Sequence, residues 1–230
     1  MGLESRLEEL FQRHPEIQRD GERFTTNKSK IVVRLPTTFT QDICRIIGII
    51  HGDGNMSCRR FHITDKNREY HKYLQELFRR TFNINLNVFH DKNRNSFYSY
   101  SKNSIVYKYL TEVLEIPEGA VRKFHIPNFL EKLPLELQGE YVAGIFDSEG
   151  HIRKRQAEID FTTTNQGLWE FLKNFLKKIN VKFSERVRHR RRNPEFEVII
   201  YGKHNLQNFC KFVKLKHPEK IERMSLFLPH

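Results

Sequence analysis

RIIGIIHGDG, residues Arg45–Gly54, decides the reading of this chain because YVAGIFDSEG, residues Tyr141–Gly150, repeats its pattern. Gly48 matches Gly144, Asp53 matches Glu149 and Gly54 matches Gly150 at one offset. Thr40 fits as the N-cap of a helix over Gln41–Gly52, and Pro134 suits the start of the second helix. Gly54 and Gly150 are then expected to stop their helices as left-handed residues. Asp53 and Glu149 fall at helix C-termini, where the macrodipole is negative and an acid costs about 0.3–1 kcal/mol. Two acids in matching unfavourable places point to a cation beside them, and a bound metal ion would serve. Gly48 and Gly52 lie one helical turn apart, and Gly144 and Ser148 repeat the spacing. Small residues let helix backbones approach closely. Side-by-side packing about a pseudo-twofold axis would bring Asp53 and Glu149 together.

The repeat extends downstream. Phe61–Asn67, FHITDKN, resembles Ile159–Asn165, IDFTTTN. Each is followed by an amphipathic run, YHKYLQELFRRTF and then LWEFLKNFLKKI, with Phe171 and Phe175 on the core side. Two strand-like runs follow in each half, then a further helix near Ile105–Leu114 and near Leu206–Leu215. Both halves read helix, two strands, helix, two strands, helix. The expected fold is α+β, with tandem αββαββα repeats. The first repeat is placed at 41–116, a Pro-punctuated linker at 117–133 and the second repeat at 134–230. Residues 1–40 read as an N-terminal extension with one amphipathic helix, from Leu3, Leu7, Leu10 and Phe11, and a strand at Lys30–Leu35.

The two acidic motifs resemble those of LAGLIDADG homing endonucleases in their single-chain, two-repeat form. The resemblance spans about residues 40–215. It departs from the family pattern at His51, where Asp is usual, and at Gly52, where Ala is usual. It implies two antiparallel sheets forming a DNA-binding saddle, and a monomer that cuts one phosphodiester on each strand. It implies Mg²⁺ or Mn²⁺ as cofactor, with Ca²⁺ as a non-catalytic substitute. Asp53 and Glu149 would hold metal, with Gly52 and Ser148 counted in the same site. Mg²⁺ needs only one or two carboxylates beside phosphate oxygens and water, and can activate a nucleophile and neutralise a leaving oxygen. Lys102 and Lys203, just past the last strand of each half, would position water or steady the transition state. His62 and Asp160 stand where the family orients water, although an amide is more usual there.

Lys and Arg number 40 against 28 Asp and Glu, a net charge of +12. That balance favours a polyanion, through phosphate neutralisation and counterion release. The expected partner is double-stranded DNA. Lys182, Ser184, Arg186, Arg188 and Arg190 alternate with Val181, Phe183, Glu185, Val187 and His189, which puts the basic set on one strand face. Arg191 and Arg192 extend the run, and Arg153 and Arg155 alternate after the second motif. Arg in the major groove can read guanine and Asn can read adenine. In the first half the polar set is Arg60, His62, Asn85, Asn87, Tyr98 and Tyr100.

Three dispersed cysteines give neither a zinc cluster nor a disulfide framework. No P-loop is present, so no small-molecule cofactor is expected. No apolar run reaches membrane-spanning length and no targeting signal is seen, so the protein is expected inside the cell, in cytoplasm or nucleoid. Met1 and the closing Leu-Pro-His, in place of His-Asn, suggest a free-standing or intron-encoded protein promoting intron mobility, not a splicing block. Two alternatives share the fold: an RNA-binding maturase and a catalytically silent DNA-binding regulator.

Overall fold

The computed structural model describes residues 2–26, 29–119, 125–190 and 193–228, without side chains at 29, 30 and 190. The chain divides into two compact units. Unit 1 takes Met1–Ile43 and Gly54–Ala120, and unit 2 takes Cys44–Asp53 and Val121–His230. This division differs from the linear repeat boundaries because the first acidic motif, from Cys44 to Asp53, groups with the second half of the chain.

Unit 1 opens with helix α1 (Leu3–Arg13), which buries Leu3, Leu7 and Leu10 as their spacing requires. The sequence reading gave the rest of this segment a single strand. It forms a three-stranded antiparallel sheet, β1 (Ile17–Asp20), β2 (Arg23–Thr26) and β3 (Ser29–Arg34). The turn between the first two strands uses Gly21 at φ 60°, a left-handed geometry that glycine adopts without steric cost. Helix α2 (Gln41–Asp53) begins where Thr40 Oγ1 accepts from Ile43 N at 3.3 Å. After it come β4 (Gly54–Ser57), β5 (Arg60–Asp65), α3 (Arg68–Phe82), β6 (Asn87–Asp91) and β7 (Ser96–Ser101). The helix expected near Ile105–Leu114 is α4 (Ser104–Lys108), which widens into a π-helical turn at Tyr109–Val113.

Unit 2 repeats the pattern. Helices α5 (Asn128–Lys132) and α6 (Leu135–Glu149) precede β8 (His151–Ile152), β9 (Glu158–Thr163), α7 (Gln166–Lys178), β10 (Phe183–Arg190), β11 (Asn193–Tyr201) and α8 (Lys203–Phe212). A last helix, α9 (Pro218–Ser225), has no counterpart in the sequence reading. The two four-stranded sheets share one antiparallel order, β4-β5-β7-β6 and β8-β9-β11-β10. The fold is therefore α+β with antiparallel sheets, as the repeat implied.

The matching Asn67 and Asn165 explain why both halves carry the same short run. Asn67 Oδ1 accepts from Tyr70 N at 3.1 Å and Asn165 Oδ1 from Leu168 N at 3.0 Å, so each caps its helix. Those helices bury their apolar stripes on one face of the sheet. Phe61 stacks on Phe78 in unit 1, while Phe146 meets Phe161 and Phe209 in unit 2. Phe171 and Phe175 are both core residues. With one face of each sheet buried, the register leaves the opposite face open for function.

Candidate metal centre and nucleic-acid interface

The paired helices meet through their small residues. A Cβ on Gly48 would lie 2.0 Å from Tyr141 O, and one on Gly144 would lie 2.4 Å from Arg45 O. Only hydrogen fits at either point. One turn further on, a Cβ on Gly52 would lie 2.5 Å from Ser148 Cβ and 3.7 Å from Glu149 Cγ. The C-terminal end of α2 and the acid of the second motif are thus in van der Waals range. Asp53 is half-buried and Glu149 exposed. Both belong to unit 2.

A buried polar cluster fixes the crossing. Arg45 Nη1 lies 3.0 Å from Asp147 Oδ2, and Arg45 Nε donates to Glu140 Oε2 at 2.8 Å. Arg45 and Asp147 are 2% and 0% exposed, so neither charge has water to fall back on. Asp147 also accepts from the backbone N–H groups of Lys216 and His217, at 2.8 and 2.9 Å from Oδ1. At the matching place in the first motif stands His51. Its Nδ1 is 3.0 Å from Tyr141 Oη, and burial pulls its pKa down to about 3, so the ring is neutral and packs in the helix interface.

One expectation about the helix ends is corrected. Gly150 is not left-handed but extended, at φ −68° and ψ 139°, and Gly54 passes straight into β4. Gly150 is required by closeness instead, since a Cβ there would stand 2.7 Å from Phe146 O. A cation was also expected at these helix ends, and at α6 the protein supplies one. Lys220 Nζ donates to Phe146 O, Asp147 O and Ser148 O at 2.8, 2.6 and 2.8 Å, so an ammonium already sits at the negative end of α6.

That contact bears on which atoms fit a metal. Among the described residues no cluster of three or more His, Cys, Asp or Glu could hold an ion. Mg²⁺ does not need one, and two carboxylates at adjoining helix ends suit it. Gly52 can contribute only its carbonyl. Ser148 fits less well, because its carbonyl accepts from Lys220 and its Oγ donates to Ile49 O at 3.4 Å.

The lysines lie in different units. Lys102 is exposed just past β7 and borders a cleft of about 450 Å³ with Asn85, Asn87, Thr26 and Ile31. The N-terminal sheet therefore walls one side of this cleft. Lys203 is the exposed first residue of α8.

On the open face of the first sheet the register aligns Asn55, His62, Tyr100 and Asn87 in one cross-strand row. Thr64, Tyr98 and Phe89 form the next row, with Phe89 59% exposed. Arg60 lies on the same face, and Asn85 is exposed two residues before β6. His62 has its pKa lowered by burial first and by Arg60 second, which favours a neutral ring.

The second sheet aligns His151, Asp160, Ile199 and Ser184. Arg186 and Arg188 share that face, as their alternation required. Sequence reading missed what lies beneath them. Glu197, 5% exposed, holds Arg188 Nη2 at 2.8 Å and Arg186 Nη1 at 3.8 Å. Cross-strand pairing of Arg186 with Glu197 was the available signal. Arg153 is likewise paired, with Glu158 at 2.6 Å and Asp160 at 3.6 Å. Arg155 lies in an exposed bend, because β8 ends at Ile152. Lys182 is exposed and precedes β10. The side chain of Arg190, together with Arg191 and Arg192, lies outside the described residues.

Residues 136–214 match the model of the LAGLIDADG-like domain family. Among solved structures, the homing endonuclease I-DmoI in complex with DNA and Ca is similar at TM-score 0.58 and 16% identity. That match covers 81% of this chain and 96% of that one. Full-length DUF199/WhiA from Thermatoga maritima is similar at TM-score 0.56 and 13% identity, covering 81% and 60%. Among curated proteins, a glutamine–fructose-6-phosphate aminotransferase of Methanocaldococcus jannaschii is 27% identical over 204 residues, 85% of this chain and 18% of that protein. A subunit of the A-type ATP synthase of Methanopyrus kandleri is 24% identical over 184 residues, 79% and 17%. The chain spans less than a fifth of the length of these curated relatives. The solved structures share the fold, and the α+β repeats with antiparallel sheets described above match that of I-DmoI and WhiA.

Proposed function

We propose that this chain is a site-specific endonuclease that binds a long duplex and hydrolyses one phosphodiester on each strand with a divalent metal. The observation that carries the reading is the meeting of the two acidic motifs, with Gly52, Ser148 and Glu149 in contact range at the helix ends. Asp53 and Glu149 would hold Mg²⁺ or Mn²⁺, which supplies water activation and leaving-group stabilisation when bound. Lys102 and Lys203 would steady the developing charge. The open sheet face of each unit reads part of the site: arginines set for guanine in one, Asn87 with tyrosines in the other. The I-DmoI structures with DNA and with Mn, Ca or Mg support DNA and divalent metal as its partners. Segments similar to this chain occur within an aminotransferase, an ATP synthase subunit and a probable translation initiation factor. Hosts so different in activity fit a self-contained module, and a role in intron homing is proposed with it.

A second reading, a DNA-binding protein that does not cut, is favoured by the Lys220 contact with Ser148 O. Selection of cut sites from a random duplex library, with Mg²⁺ and with chelator, separates the two. Metal-dependent cuts support the nuclease, and tight binding without cuts supports the silent binder.

A further inference from the structure

Carbonyl oxygens left open at the end of a helix are usually met by water or a capping group. At the end of α6 three carbonyls meet one side chain, and Phe146 O also accepts from Gly150 N at 3.1 Å. Lys220 Nζ reaches Phe146 O, Asp147 O and Ser148 O, all within 2.8 Å. The lysine is held there by the architecture around it. The backbone of Lys216 and His217, just before α9, donates to the buried Asp147 carboxylate. Later in the same helix Arg223 donates to Ile152 O at 3.2 Å, and Met224 is buried. The segment is thus fastened on both sides of Lys220. Ser148 Oγ is turned to Ile49 O, so the carbonyl and the hydroxyl of Ser148 are both engaged. An ion on the same carbonyl would have to bind at about 2.0–2.1 Å. It would then stand next to an ammonium bonded to that same oxygen.

We infer that Lys220 is the resident cation of the second acidic motif, that it withdraws Ser148 from metal binding, and that the paired motifs take one divalent ion fewer than their two acids suggest. This deepens the endonuclease reading and rests on it. The two motifs are chemically unequal: one helix end is neutralised by the protein itself.

The test counts Mn²⁺ bound to the purified full chain by electron paramagnetic resonance, without DNA. Lys220→Met should gain one Mn²⁺ site, or bind Mn²⁺ at least tenfold more tightly, relative to the wild-type protein. Lys220→Arg, which keeps the charge, should behave as wild type. No gain in Lys220→Met overturns the inference while leaving metal binding intact. Absence of Mn²⁺ from wild type and variant alike overturns the metal reading beneath it. Should Lys220→Met fail to fold by circular dichroism, the wild-type protein decides. With ¹⁵N-labelled lysine, the hydrogen-bonded Nζ signal of Lys220 should persist at saturating Mg²⁺. Its displacement by Mg²⁺ would overturn the inference.

Discussion

A Cβ placed on Gly48 would stand 2.0 Å from the carbonyl oxygen of Tyr141, a distance no side chain tolerates. Gly48→Ala should therefore force the helices apart and cost about 1–3 kcal/mol or more. Urea denaturation of the variant checks this. Gly2→Ala, where nothing lies within 4 Å, is the control and should change little.

The buried Arg45 bridges two acids of α6, so removing it takes the guanidinium from Asp147, which at 0% exposure keeps the backbone N–H groups of Lys216 and His217. Arg45→Met should cost about 3–5 kcal/mol, the usual penalty for leaving one buried charge unpaired. The same denaturation experiment reads it. A loss below about 1 kcal/mol would show that the cluster is more hydrated than its burial implies.

His51 gives a pH dependence with a definite sign. Its folded pKa, about 3, lies below the ordinary value of 6.5 because burial disfavours the cation. The unfolded chain therefore binds the extra proton more readily. The stability contributed is present above pH 6.5 and lost as pH falls towards 3. Between about pH 6.5 and 5 the loss is on the order of 1–2 kcal/mol. His51→Gln should remove that part of the slope, measured as the difference between variant and wild type in urea at each pH.

The interface prediction concerns Glu197 and its two arginines. Arg188→Ala should weaken duplex binding and lower the log–log salt slope by about 1 if Arg188 meets a phosphate. Glu197→Gln should release the guanidinium groups from their fixed positions. Discrimination between cognate and random duplex should fall, while binding to random duplex strengthens a few-fold. Fluorescence anisotropy at several salt concentrations reads both variants. An unchanged salt slope in Arg188→Ala argues against phosphate contact there.

The repeat was legible because its signals are local. Gly48 and Gly144 must be small wherever two helices touch, and Asn67 and Asn165 cap helices within their own turns. Alternation alone placed Arg186 and Arg188 on one face. What escaped was long-range. Lys220 reaches carbonyls more than seventy positions away, and no local pattern announces an ammonium bound for a helix end. The macrodipole argument required a cation at each acidic motif, and at the second a lysine stands there. It could not tell a lysine from a metal, because both satisfy the same charge. The left-handed helix ends failed for a related reason. Glycine serves both positive φ and close contact, and at Gly150 contact is what demands it. Residues 1–40 hid two short strands, Ile17–Asp20 and Arg23–Thr26, whose exposed polar residues carry little periodicity.

The acids themselves allow a strand-resolved prediction. Asp53→Asn and Glu149→Gln should each abolish double-strand cutting, leaving a nicked or intact duplex, while binding changes by less than about tenfold. Full double-strand cutting by Asp53→Asn would remove that residue from the chemistry.

Metal-dependent cutting by the paired acids is best put to the test by exposing a random duplex library to the wild-type protein, with Mg²⁺ and with chelator, and sequencing both strands. A single enriched site should be cut once on each strand, only with metal, and the cuts should vanish in the Asp53→Asn, Glu149→Gln double variant. Tight, selective binding of the library with no metal-dependent cut on either strand would contradict the endonuclease reading.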